Sequence, residues 1–292
     1  MPALLLLLAV TAVWGVTFVQ VKDAVAVYPL FAFLAVRFAI ATATLAPVAA
    51  ARVRALGRPG ARSGLVLGLL LAAGYALQTA GLQRTTVSAT GFVTGLYVVL
   101  TPVLAFGLFR VRTGAAAWVG VALASGGLVL LSGVEAAGSA AGDLLVLGGA
   151  AAFALQIVLM ERWAPRYDVV ALTQVEMLAA CAAFLVAALA AGELRAPHGT
   201  TVWGALAVTG VFASALAFLA QTWVQRRTSA TRVAVVFAAE PVFAGVFGYL
   251  LADDRLGWTG WTGCAVILLG IAAAEPAAGG VLRRFAQRSV LR

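Results

Sequence analysis

The chain has little of the chemistry that enzymes and nucleotide-driven pumps use, with one lysine, one histidine and two cysteines among 292 residues. Because Lys22 is followed by Asp23, the phosphate-binding lysine motif is absent, and ATP is excluded as this chain's own energy source. The histidine, His198, lies in a loop, so no apolar run offers the histidine cluster of an intramembrane hydrolase. Cys181 and Cys264 fall inside apolar runs and predict neither a disulfide nor a zinc site. We expect no enzymatic activity, no metal and no cofactor.

Charged residues are also scarce, at 11% of the chain, while 63% of the residues are hydrophobic. A soluble domain carries about 25% charged and about 45–50% apolar residues, so this composition predicts a membrane protein. The net charge of +9 comes from 20 basic residues, of which all but Lys22 are arginines. These arginines lie almost entirely in short gaps between apolar runs. That distribution indicates membrane topology and argues against a nucleic-acid partner.

The apolar runs are long enough to cross a bilayer, since a helix needs roughly 20 mostly apolar residues to span about 30 Å of hydrocarbon. A signal peptide cleaved after Ala24-Val25-Ala26 is the alternative for the first run, but that run has no basic start and is longer than a typical signal sequence. The sequence predicts an all-α polytopic protein with ten transmembrane helices, at approximately 3–21, 30–50, 63–83, 87–108, 115–133, 143–161, 169–191, 201–224, 230–252 and 258–275.

The basic residues sort to one side when alternate gaps are compared. One side holds fifteen of them and the other holds four, with Arg37 left inside a span. Because cytoplasmic loops carry the excess of Lys and Arg, both termini are expected in the cytoplasm, with the protein in the cell (inner or plasma) membrane. The fifteen are Arg52, Arg54, Arg58, Arg62, Arg110, Arg112, Arg162, Arg166, Arg226, Arg227, Arg232, Arg283, Arg284, Arg288 and Arg292; the four are Lys22, Arg84, Arg195 and Arg255.

Short motifs recur in the same order in the two halves of the chain. Each half holds five spans, an odd number, so the second half must enter the membrane inverted. Chance similarity among helices rich in Ala, Leu, Val and Gly is the alternative. We expect two inverted five-helix repeats, at 1–138 and 139–275, and a basic cytoplasmic tail at 276–292. The segments from Trp118 and Trp261 match at an offset of 143, as do Gln78-Thr79 and Gln221-Thr222, while Thr101-Pro102 and Glu240-Pro241 match at an offset of 139.

This ordered set of motifs resembles the drug/metabolite transporter superfamily, and within it the EamA-type exporters. The likeness rests on the glycine-rich fifth and tenth spans and on Trp14-Gly15, Arg37-Phe38, Pro102 and Glu240-Pro241. It implies export of small metabolites by alternating access. In that family an acidic turn often follows each of the two proline-containing helices, and this chain has the acid in one of the two turns. Here Asp254-Arg255-Leu256 supplies it in the second half, while Val111-Arg112-Thr113 has no acid. A symmetric gating role for that turn is therefore in doubt.

Glu240 lies at the centre of the apolar stretch 231–252. A carboxylate there costs about 2.5–3.5 kcal/mol to insert, so an intramembrane acid is by default a functional hypothesis. Pro241 kinks the helix and frees a backbone carbonyl near Phe237. We expect Glu240 to exchange a proton or to recognise a cationic group. The alternative is a protonated, purely structural glutamate. Its counterpart in the first half is Thr101, which cannot titrate.

Polar and aromatic side chains share helical faces in several spans. In the fourth span Thr90, Thr94, Tyr97 and Thr101 are spaced 4, 3 and 4 residues apart, which aligns them on one face. Such a stripe either packs between helices or lines a wet cavity. Aromatic, amide and hydroxyl groups suit a small amphipathic or zwitterionic solute. The predicted substrate-binding residues are Trp14, Thr17, Tyr75, Gln78, Thr94, Tyr97, Phe153, Gln156, Phe218, Gln221 and Glu240.

Arg37 and Glu176 differ by 139, the offset that aligns the proline helices. Inverted repeats would place them about 12 Å in from opposite faces. An ion pair across the repeat interface is one outcome, and separate partners for each side chain is the other. The predicted coupling and gating residues are Glu240, Pro241, Pro102, Arg37 and Glu176.

The sequence favours a secondary-active transporter that exports small metabolites, such as amino acids or their derivatives and aromatic or cationic compounds. A passive channel, a facilitator or an uptake carrier is the alternative. The expected partners are the small-molecule solute and membrane lipid, with no nucleic acid, and the protein is expected to be a monomer or a homodimer.

Overall fold

A computed structural model of the protein describes residues 2–85, 87–132, 139–251 and 257–274. Within these ranges every regular element is helical. The helices are α1 (Pro2–Val27), α2 (Leu30–Ala55), α3 (Gly57–Leu82), α4 (Val87–Gly95), α5 (Tyr97–Phe109), α6 (Ala115–Ser132), α7 (Ala140–Trp163), α8 (Val169–Ala190), α9 (Thr200–Ala207), α10 (Ala217–Gln225), α11 (Ala230–Phe237), α12 (Glu240–Leu251) and α13 (Trp258–Ala274).

Eight helical segments of this bundle are long and apolar enough to cross a membrane, and the protein is a multi-pass membrane protein. Two further apolar helices, Ala115–Leu131 and Trp258–Ala274, are shorter. The helices begin and end near the predicted spans, but α1 continues six residues past the predicted end, to Val27. The backbone does not leave the helix where the hydrocarbon ends, so a rule based on hydropathy underestimates helix length.

Two of the spans are broken near their prolines. Leu96 separates α4 from α5, and Ala238 and Ala239 separate α11 from α12. At each break the backbone makes a tighter turn, with Val99 N donating to Leu96 O and Ala239 N donating to Val236 O, both at 3.0 Å. Pro241 lacks an amide hydrogen and its ring crowds the carbonyl of Phe237, the last residue of α11, so the regular ladder cannot continue through the second break. The first break follows Gly95 and lies six residues before Pro102, which is inside α5.

The span between α9 and α10 is interrupted differently, by a π-helix over Val208–Leu216. Its wider turns let the backbone shift register without a proline. Nothing in the hydrophobic pattern predicted this segment. Segments of this type are frequent at functional sites.

Glycines bring α6 and α13 into close contact. A Cβ on Gly120 would lie 2.8 Å from the carbonyl oxygen of Gly270, and one on Gly127 would lie 2.7 Å from that of Gly263. The earlier glycine of α6, Gly120, meets the later glycine of α13, Gly270, while Gly127 meets Gly263. The two helices therefore run antiparallel. Absence of side chains allows this backbone approach.

Helices α2 and α8 also pack antiparallel. Gln174 donates to the carbonyl of Thr42 at 3.3 Å, and the thiol of Cys181 lies 3.8 Å from the carbonyl of Ala35. The two long pairs, α2 with α8 and α6 with α13, therefore each join one helix of the first half to one of the second.

Two of the sequence predictions lie outside the described residues. These are the turn Asp254-Arg255-Leu256 and the basic tail 276–292.

Candidate functional site

A cavity lies in the middle of the bundle and contains about 670 Å³ of space between atoms, counting its opening. All eleven side chains predicted to bind substrate line it. The sequence did not place the other seven lining residues in the binding set: Phe18, Val21, Arg37, Thr79, Leu82, Ile157 and Phe237. Most of these are apolar, so no polarity signal distinguished them from ordinary core residues. Whether the lining binds a solute stays a prediction.

The two helix breaks meet at this cavity. Tyr97 is the first residue of α5 and Glu240 is the first residue of α12. The Tyr97 hydroxyl donates to Oε2 of Glu240 across 3.4 Å. Glu240 is 8% exposed, so bulk water solvates it poorly. Its position in the first turn of α12 puts the carboxylate at the positive end of that helix dipole. Burial in a low dielectric opposes the charge, while Tyr97 and the helix end favour it.

Arg37 is the buried cation of the cavity, at 3% exposure. Its Nε donates to Ser214 Oγ at 2.9 Å and its Nη2 donates to the Tyr75 hydroxyl at 3.1 Å. The guanidinium carbon lies 4.4 Å from the centre of the Tyr75 ring, a cation–π contact. The remaining nitrogen, Nη1, has no hydrogen-bond partner within the described ranges. Arg37 therefore retains donors for a negatively charged ligand.

The Arg37–Glu176 ion pair does not form. Arg37 is held by Ser214 and Tyr75, and Glu176 accepts a hydrogen bond from Gln156. In the part of the chain that the structure describes, the ion pair that does form is an exposed one, Arg52–Asp168, at 3.4 Å. Of the two alternatives that the sequence left open, separate partners are observed.

Aromatic rings form one wall of the cavity. Trp14 packs edge-on to Phe237 with ring centres 4.8 Å apart, and lies 5.8 Å from Phe218. Its indole nitrogen donates to the carbonyl of Ala213 at 2.8 Å. Ala213 belongs to the π-helix, so this irregular segment fixes the orientation of the central tryptophan. A planar or apolar portion of a solute would contact this wall.

Amide side chains form a hydrogen-bonded ladder that begins at the cavity lining. Gln156 Nε2 donates to Glu176 Oε1 at 2.7 Å, and Gln221 Nε2 donates to Gln156 Oε1 at 3.0 Å and to Gln225 Oε1 at 2.8 Å. Gln225 then donates to the carbonyl of Ile157 at 2.8 Å. The predicted binding set contains Gln156 and Gln221. Their connection depends on how α7 and α10 face each other, which no periodicity encodes.

The polar stripe of the fourth span divides into two parts. Thr94 and Tyr97 line the cavity, and Thr94 also accepts from Gln78 at 3.0 Å. Thr90 is fully buried away from the lining, and Thr101 donates to the carbonyl of Tyr97. The stripe therefore combines helix packing with cavity lining.

The predicted gating residues lie mostly outside the cavity. Pro102, Pro241 and Glu176 do not line it, whereas Arg37 and Glu240 do. Within the described ranges no group of three or more His, Cys, Asp and Glu side chains could hold a metal ion.

Comparisons with known proteins agree with this architecture. The model of the EamA-like transporter family matches residues 1–133 and 140–274. A protein of Archaeoglobus fulgidus named "Uncharacterized transporter" is 31% identical over 267 residues, which cover 90% of this chain and 82% of the relative. The Escherichia coli K12 protein "Uncharacterized inner membrane transporter YedA" is 28% identical over 269 residues, covering 91% and 88%.

A chain of known crystal structure superposes with a TM-score of 0.80 at 21% identity, covering 96% of this chain and 98% of that one. At this level of identity the likeness extends to the fold alone.

Proposed function

The chain belongs to the EamA-like transporter family, and from this premise we propose that it is a secondary-active transporter that exports small organic metabolites by alternating access. The solute occupies the central cavity. The observation that carries the proposal is that this cavity joins an acid, Glu240, and a cation, Arg37, to an aromatic wall. A zwitterion or an amphipathic cation finds partners for each of its parts there. Amino acids, their derivatives and aromatic amines have this chemistry.

The proposal includes ten transmembrane helices. The two shorter apolar helices, Ala115–Leu131 and Trp258–Ala274, each have a length of about 26 Å at 1.5 Å per residue. The hydrocarbon core is about 30 Å thick, and local thinning accommodates a mismatch of this size. Glycines along both helices let their backbones pack closely, so the two helices lie side by side in the bundle. Both termini lie in the cytoplasm of an inner or plasma membrane, as the arginine distribution favours.

The proposal also includes two inverted repeats, at 1–138 and 139–275. Reciprocal glycine contacts support them. The offset of 143 carries Gly120 onto Gly263 and Gly127 onto Gly270. The contact of Gly120 with Gly270 therefore becomes the contact of Gly263 with Gly127, and both occur. A twofold axis relating the two halves produces this self-complementary pattern.

A second pair of contacts supports the repeats at the other offset. The offset of 139 carries Ala35 onto Gln174 and Thr42 onto Cys181. The offset therefore maps the contact between Ala35 and Cys181 onto the contact between Gln174 and Thr42, and both contacts occur. Two offsets derived from sequence motifs thus each map one observed contact onto another. The family model also matches two segments that divide the chain at the same place.

In this mechanism the broken helices provide the moving parts. The breaks at Leu96 and at Ala238 and Ala239 lie at the depth of the cavity and leave α5 and α12 able to tilt against α4 and α11. Glu240 and Tyr97 begin the two tilting halves, so protonation or solute binding at Glu240 changes the contact between them. When Glu240 loses its proton, its charged carboxylate can again bind an ammonium group of the solute. We infer that solute and proton compete for Glu240.

The experiment that tests this function begins with a thermal-shift screen of purified protein against a panel of amino acids, aromatic amines and quaternary ammonium compounds. A compound that stabilises the protein is then loaded into proteoliposomes, and uptake of its radiolabelled form is measured. A carrier is accelerated by unlabelled solute on the trans side. Uptake that trans solute leaves unchanged would indicate a passive channel and would overturn the proposal.

A further inference from the structure

The amide ladder ends on a second buried acid. Glu176 is in the middle of α8 and has no exposed surface. Oε1 accepts from Gln156, and Oε2 has no hydrogen-bond partner. An orphaned carboxylate oxygen at full burial is costly to maintain as a charge. The structure therefore shows a group that its surroundings satisfy only in part, outside the cavity but one side chain away from it.

Among the residues that the structure describes, no basic side chain forms an ion pair with this acid. Helices α2, α3, α10 and the π-helix pack against α8, and α7 reaches it through the hydrogen bond from Gln156 to Glu176. Of the charged and titratable side chains of these helices, Arg37 binds Tyr75, and Arg52 pairs with Asp168 at the start of α8. On α8 itself Cys181 is the nearest titratable group. Helices α7 and α10 supply amides and a hydroxyl, with Thr222 bonded to Thr173 at 2.9 Å. The uncharged, protonated acid fits these surroundings.

The ladder also ties α7 to α10 beside the cavity, which Gln156 and Gln221 line. Its two links between helices join Gln221 to Gln156 and Gln225 to the backbone of Ile157. Gln225 is the last residue of α10, and Arg226 and Arg227 follow it. A water path to Glu176 from this arginine-rich end, the proposed cytoplasmic side, would pass between α7 and α10. Separation of these two helices breaks both links and admits water to Glu176.

We propose that Glu176 is a second proton-carrying residue of the transport cycle and that the Gln156–Gln221–Gln225 ladder controls its access to water. While the ladder is closed, Glu176 keeps its proton. When the ladder opens, the O–H bond of the acid breaks and the proton passes to water at the arginine-rich end. The carboxylate is charged in the open state alone, so a higher pH at that end favours the open state. This inference rests on the proposed transport function, and assigns release of a proton to a site distinct from Glu240.

Infrared difference spectroscopy of the full chain in lipid, recorded in steps of pH, tests the assignment without any solute. Two components of protonated carboxyl absorption are expected to disappear as the pH rises. Glu176→Gln should remove one of them and Glu240→Gln the other. Glu161→Gln is the matched control, because this acid on α7 caps the backbone of Ala230 outside the ladder. It should leave both components in place.

A Glu176→Gln spectrum that retains both components would overturn the inference, whatever Glu240 does. Loss of the Glu176 component with an unchanged Glu240→Gln spectrum would support it and remove Glu240 from the proposed function. If Glu176→Gln does not fold, Glu240→Gln decides: a component that still disappears as the pH rises in this variant would support the inference, and its absence would overturn it.

Spin labels test the link to ladder opening. They are attached at Arg166→Cys and Arg227→Cys, with Cys181 and Cys264 replaced by alanine. Arg166 and Arg227 are both exposed. The fraction of molecules with the longer distance between the two labels should grow as the pH rises, both in the wild-type background and in Glu161→Gln. It should be independent of pH in Glu176→Gln. Equal pH dependence in all three backgrounds would mean that Glu176 does not control opening.

Discussion

The hydroxyl of Tyr97 and the carboxylate of Glu240 lie 3.4 Å apart at the points where two broken helices restart. Each residue is the first of its helix, so the breaks themselves aim both side chains into the cavity. A regular helix through either region would present a different face. The proline-containing motifs thus connect local backbone chemistry to the composition of the site.

Glycine contacts should determine the stability of the α6–α13 pair. Gly127→Ala places a Cβ 2.7 Å from the carbonyl oxygen of Gly263 and 2.6 Å from the side chain of Ile267. Overpacking of this kind costs roughly 1–3 kcal/mol, so the melting temperature of the purified protein should fall. The adjacent Gly126 has nothing within 4 Å of its Cβ position. Gly126→Ala should leave stability unchanged or raise it by up to about 1 kcal/mol through helix propensity. Equal melting temperatures for the two variants would contradict the close packing.

Membrane topology should follow the arginine count. A reporter fused after Arg292 is expected to be cytoplasmic, so green fluorescent protein should fluoresce there and alkaline phosphatase should be inactive. A reporter inserted at His198, which lies between α8 and α9, should show the opposite behaviour. An active phosphatase at Arg292 would refute the predicted combination of ten helices with cytoplasmic termini, because either one span more or less or a reversed orientation puts this terminus outside.

Cysteine labelling should separate the two parts of the polar stripe. In a background with Cys181 and Cys264 replaced by alanine, Thr94→Cys and Tyr97→Cys should react with a hydrophilic thiol reagent, and a bound solute should protect them. Thr90→Cys is the control, because Thr90 is fully buried and does not line the cavity. It should react far more slowly. Inert cysteines at both test positions would mean that the stripe serves helix packing alone.

Much of the architecture could be predicted from the sequence because hydropathy and helix length are local properties. The approximate spans and the break beside Pro241 follow from composition and from proline chemistry. The helical periodicity also aligned Thr94 with Tyr97. These features need no knowledge of which helices are neighbours.

The features that the sequence missed depend on contacts between distant segments. The partners of Arg37 are Ser214 and Tyr75, 177 and 38 residues away. The orientation of Trp14 depends on a carbonyl in the π-helix, which carries no composition signal. The amide ladder needs the relative rotation of α7 and α10. Apolar lining residues such as Phe237 look like ordinary core residues in a chain that is 63% hydrophobic.

The most direct test of the account is Glu240→Gln in proteoliposomes with a solute identified by the thermal-shift screen. Glutamine preserves the size of the side chain and can still accept from Tyr97, but it cannot carry a proton or a charge. The account predicts that an imposed pH gradient drives solute accumulation by the wild-type protein and not by the variant. Exchange of solute without a gradient should persist in the variant, because the cavity and the moving helices remain. Gradient-driven accumulation at the wild-type level by Glu240→Gln would contradict the claim that this residue couples transport to protons.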